Sequence, residues 1–249
     1  MKKSFQILAL LLFVACGANA QQEKGIIGST NWLSNWTEFK PAKVDYGEPN
    51  QILAGNISTN TKLLKKNVYL LQGPVYVDNN AVLTIEPGTV IIGDFDSGAA
   101  SVITKGASIT ADGLETDPIV FTSNRSVKKA GDWGGIVILG DAPINKFGGV
   151  ASVNYDLDNA LTVYGGNNPV ASSGTLRYVR IEYAGKKVRG SGNFNGLFLG
   201  GVGNKTIIEN VMVSFCAGDS YEVYGGDVVM NKMVSLKASG IDYKFNYGV

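Results

Sequence analysis

From Val68 onward short apolar runs alternate with tight polar turns: VYLLQGPVYV, AVLTIEPGTVII, SVITKGASIT, DPIVFTS and GGIVILG follow one another, and none has room for a helix. Within the runs every second side chain is apolar, the period of a strand with one face in a core. Leu83-Thr84-Ile85 recurs as Ser108-Ile109-Thr110, and Val90-Ile91-Ile92 as Ile119-Val120-Phe121. A repeat of roughly 20–30 residues holding two or three short strands predicts an all-β solenoid, a right-handed parallel β-helix in one domain. Leu83, Ile85, Ile109, Ile119 and Phe121 are the expected bore residues. A β-sandwich would need hairpins, yet Asp112-Gly113 leads into Leu114-Glu115-Thr116-Asp117 rather than into a partner strand.

The ends depart from this rhythm. In residues 1–20 two lysines precede an apolar run, and Ala18-Asn19-Ala20 forms a small-residue cleavage site, so an export signal is expected. The run is too short for a permanent membrane span. Cys16, within Phe13-Val14-Ala15-Cys16, offers the alternative of a lipid anchor. Residues 21–66 are polar and irregular and are expected to cap the first coil, with Trp32 and Trp36 as an alternative sugar-stacking pair. The β-helix is expected over residues 67–249, interrupted at about 141–174 by an Asn/Gly/Ser-rich insertion of the kind that carries binding residues. Val213-Ser214-Phe215 and Val234-Ser235-Leu236 read as one strand in consecutive coils. Tyr243, Phe245 and Tyr247 alternate to the last residue without a polar cap, which predicts a longer natural chain or a partner on that end.

Composition sharpens this picture by exclusion. Gly makes up 32 of 249 residues against 7 Pro, with no collagen period, so the glycines mark turns. A formal charge of +1 gives no reason to expect nucleic acid as a partner. With no histidine in the chain, His-containing triads and imidazole metal sites are ruled out. Once Cys16 is removed, Cys216 has no disulfide partner and reads as a core residue.

Chemistry must then rest on carboxylates, lysines, arginines and hydroxyls. Asp219, Glu222, Asp227 and Asp242 recur about one coil apart and could stack into an acidic ladder for Ca²⁺ or a sugar, although Asp beside Gly also suits corners. Asp94 and Asp96, in Asp94-Phe95-Asp96-Ser97-Gly98, look like half a calcium loop without its remaining ligands. Arg180 and Glu182 share a face and could pair, whereas Arg177, three positions from Arg180, should face the other way.

The segment Gly131-Asp132-Trp133-Gly134-Gly135-Ile136-Val137-Ile138-Leu139-Gly140-Asp141-Ala142-Pro143-Ile144-Asn145, with LRYVRIEYAG at 176–185 and NGLFLGGVG at 195–203, resembles a family of exported Bacteroidetes surface proteins. The resemblance covers roughly residues 65–247. It implies a right-handed parallel β-helix, often a lipoprotein, of unestablished function. The label "multidrug transporter" carried by some members has no physical support in a chain without membrane spans. Two departures stand out. Gly218-Asp219-Ser220-Tyr221-Glu222-Val223-Tyr224-Gly225-Gly226 replaces an Asp-Asp-Gly-Phe-Glu pattern, and Ile241-Asp242-Tyr243-Lys244-Phe245 replaces an Asp-rich run. The expected function is an exported or cell-surface, non-enzymatic β-helix that binds a glycan or a surface partner, without a required cofactor beyond an optional Ca²⁺. A polysaccharide lyase or glycosidase using Asp and Glu (with Arg and Ca²⁺ if a lyase) is the alternative, and a structural spacer a third.

Overall fold

The computed structural model describes residues 31–246 apart from Asn154 and Ser191. The expected export signal, Cys16 and Tyr247 lie outside the described residues. Residues 35–246 form three parallel ladders that the chain visits in turn, which makes a right-handed β-helix. The first ladder stacks residues 51–54, 68–71, 90–93, 119–123, 179–182, 211–214 and 234–236. The second stacks residues 55–57, 74–77, 100–103, 136–139, 197–202, 221–226 and 243–246. The third stacks residues 61–63, 82–85, 108–112, 174–177, 207–209 and 229–231. A parallel ladder supplies every central strand with partners on both sides, so backbone polarity is met between coils rather than within one.

The bore is apolar, and all five expected bore residues are buried in it. The register between coils differs by one residue from the sequence reading. Leu83 stacks on Ile109 and Ile91 on Phe121, and Val213 lies beside Ser235. Matching residue types across turns of unequal length causes the slip; parity toward the bore fixes the true register. The coils also begin earlier than expected. Gln51–Ile57 and Thr61–Leu63, inside the predicted cap, already pair in parallel with the next coil. Trp36 is fully buried against Tyr178, so it is a packing residue and not a sugar platform.

Corners set where side chains go. Tyr178, Asn210 and Lys232 occupy one corner in successive coils, all with positive φ, and Tyr183, Phe215 and Lys237 do the same at the next corner. Left-handed backbone is costly for residues with a Cβ. At the second corner stacking offsets that cost, with Tyr183 on Phe215 at 5.4 Å and Lys237 over Phe215 at 5.2 Å. The bend at Tyr178 also breaks the alternation between Arg177 and Arg180. Arg177 instead lies between Asp112 (2.8 Å) and Glu209 (3.4 Å) of the neighbouring coils.

The motif that carries the resemblance is structural. Asp132 accepts from the Ser123 hydroxyl (2.7 Å) and the Lys129 amide (2.9 Å), closing the corner before the second ladder. Trp133 fills the bore there, and a Cβ on Gly135 would sit 2.1 Å from the Asn195 carbonyl oxygen.

Candidate functional site

The outward face of the second ladder carries the candidate site. Parallel register aligns Phe198, Glu222 and Lys244 in one column, and Gly200, Tyr224 and Asn246 in the next. Because alternate residues point outward, Phe198, Glu222, Tyr224, Lys244 and Asn246 share this face while Leu199, Tyr221 and Val223 fill the bore. The predicted insertion lies between Ile136–Leu139 and Gly174–Glu182 and folds over the same face. Its regular part is a short antiparallel pair, Ala151–Ser152 with Val163–Tyr164. The Asp158 amide donates to the Tyr76 hydroxyl at 2.9 Å and ties the insertion to an early coil.

Insertion and coil together enclose a cleft of about 630 Å³. Aromatic rings build one wall. Phe198 stacks on Tyr224 at 5.7 Å, Tyr164 meets both edge-on, and Tyr155 packs on Phe194 at 4.3 Å. Gly200 makes room for this cluster, since a Cβ there would lie 2.8 Å from the Tyr164 ring. Beside the rings the same face is polar. Lys244 Nζ lies 2.6 Å from Glu222 and 3.3 Å from Asp219. The Glu222 and Asp219 carboxylates hold the Lys244 pKa above its ordinary value, with the Glu222 hydrogen bond the larger cause. Asn195 donates to Glu222 and to the Tyr155 hydroxyl, and Asn246 donates to Glu222 at 3.0 Å. Burial, reinforced by the nearby Glu222 charge, pushes the Tyr155 phenol well above its usual range, so the hydroxyl that accepts from Asn195 stays neutral.

The structure therefore brings Asp219 and Glu222 together and leaves the other two acids outside. Asp227 is exposed at the next corner and accepts from Asn204 at 3.0 Å, while Asp242 is bonded to the Ser235 hydroxyl. The four-membered acidic ladder does not form, because the corners send successive acids to different faces. Asp94 is likewise a turn residue. Burial alone would raise its pKa, but the Ser97 and Asn124 hydrogen bonds outweigh it and leave the pKa lowered. Asp96 is exposed beside Arg125 in a shallow hollow. Among the described residues no three Asp, Glu or Cys side chains converge on a metal-sized site. Lys244, Asn195 and the aromatic wall escaped the sequence reading; they come from different coils and from the insertion, with no shared local motif.

Two other buried groups were visible in the sequence. Cys216 is in the core, and burial pushes its thiol up to about 12. Arg180 and Glu182 pair at 3.5 Å beneath Tyr46, whose hydroxyl donates to Glu182 at 2.8 Å.

Residues 55–248 match the family model described as a pectate-lyase like beta helix domain. The chain belongs to that family. No curated protein and no solved structure matches it. This pectate-lyase-like β-helix has, among its described residues, no helix long and apolar enough to cross a membrane.

Proposed function

We propose that this pectate-lyase-like β-helix is exported to the cell surface and binds a neutral glycan in the cleft over the second ladder. The observation that carries the reading is that the Tyr155, Tyr164, Phe198 and Tyr224 rings line one cleft together with Asn195, Asp219, Glu222 and Lys244. Sugars present apolar C–H faces and rims of hydroxyls, and such a cleft offers rings for the first and charged hydrogen-bond partners for the second. Asp219 and Glu222 share the single positive charge of Lys244, so this group keeps one net negative charge and favours a neutral ligand over an anionic one.

A glycan array run with and without calcium tests this. The expected result is retention of one neutral oligosaccharide class, independent of calcium. Tyr224→Ala should weaken that binding about tenfold, the scale of one lost aromatic contact. An array without hits, together with no activity on polyuronides, would leave the structural spacer. A second reading, carboxylate-assisted glycan cleavage, is favoured by the approach of Asp219 and Glu222 to the same ammonium. Products detected by mass spectrometry, and their loss in Glu222→Gln, would establish it over simple binding.

A further inference from the structure

We infer that the 144–150 tip of the insertion closes over the glycan and lays Phe147 across it as an apolar lid. This rests on the glycan reading of the cleft. Lys146 within the tip and Ser152 just after it both line the cleft, so the tip stands at its rim. Ile144 and Ala151 are buried and anchor its two ends. Between them Phe147 is 104% exposed, the largest apolar side chain left wholly in water among the described residues. Its placement is the work of a turn in which the Gly149 amide donates to the Lys146 carbonyl at 2.8 Å and Gly148 takes φ +83°. That is a turn with Phe147 at its second position and glycine where positive φ is needed. At both Gly148 and Gly149 a Cβ would meet nothing within 4 Å, so that side of the turn faces open space.

An exposed phenylalanine beside an aromatic-walled cleft gains burial only when something fills the space between them. A sugar stacked on Tyr224, which lines the cleft and is only partly buried, presents its second apolar face outward, and the exposed Phe147 ring is placed to cover it.

The full chain is titrated with cellohexaose, laminarihexaose and mannohexaose by calorimetry, as wild type, Phe147→Ala and Phe147→Trp. The expected result is binding of at least one hexasaccharide, weakened about tenfold by Phe147→Ala at unchanged Tm. Saturation of Phe147→Trp should shift the introduced indole's emission to the blue relative to the wild-type response. Wild-type binding with unaltered affinity in Phe147→Ala and no emission shift would overturn the lid and leave the cleft reading standing. Failure of all three sugars to bind the wild type would overturn both.

Discussion

Trp133→Ala is expected to lower the unfolding free energy by about 3–5 kcal/mol, the range for truncating a large buried aromatic. For a chain of this size that corresponds to a Tm drop of roughly 6–20 °C, read by calorimetry or thermal circular dichroism. Trp133 is fully buried, lies parallel to Phe121 at 6.3 Å, and donates its indole N–H to the Glu182 carbonyl at 2.8 Å. The ring also rests on Gly93, where a Cβ would come within 2.6 Å of it. Removing it opens a void between coils and strands a buried carbonyl, and rigid ladders on all sides limit collapse. Trp133→Phe retains some of the packing and should cost less than half as much. A loss below about 1 kcal/mol in the alanine variant would show that the bore refills, contrary to this packing account.

Arg180→Met should cost about 3–5 kcal/mol at neutral pH, because it leaves the Glu182 carboxylate buried without its counter-charge. Glu182 is 1% exposed, and burial already raises its pKa despite the opposing effects of Arg180 and Tyr46. A carboxyl whose folded pKa exceeds its unfolded one holds a proton longer in the native state. Stability therefore falls as pH rises from the ordinary carboxylate range through the folded pKa. Without Arg180 the raised pKa moves further up, so the deficit should shrink as the pH is lowered toward the acid range. The double variant Arg180→Met/Glu182→Gln should recover most of the loss at neutral pH. Denaturant melts across pH provide the test, and a deficit independent of pH would mean that lost packing, not the stranded charge, dominates.

The coil was legible because its cause is local. Leu83, Ile85, Ile109, Ile119 and Phe121 announce bore positions by strict alternation, and all are buried in the bore. Register was less legible, since turns of unequal length separate equivalent strands and a one-residue slip leaves residue types looking alike. The site was legible only in halves. The insertion and the Asp219/Glu222 pair each stood out, but nothing in the sequence says that both lie over the second ladder. Lys244 is instructive. Against the Asp-rich run of the similar family it reads as a thinning of an acidic cluster, whereas in three dimensions it supplies the counter-charge to Glu222 and Asp219. Corner residues such as Tyr178 and Phe215 hid the rest, because aromatic residues at positive φ give no turn signal.

Because the ladders are parallel, their hydrogen bonds run along the solenoid axis, and tension between the chain ends loads them like the teeth of a zipper. Each coil holds only its neighbours, so the coils should detach in succession. Where Tyr221 stacks on Tyr243, a coil of about 22 residues would release roughly 70 Å of slack. The stretch between the paired Ile136 and Leu197, which contains the insertion, would release roughly 200 Å in a single longer step. Optical tweezers would record this as a ladder of short extensions interrupted by one long one, and a single rip of the whole chain would contradict it.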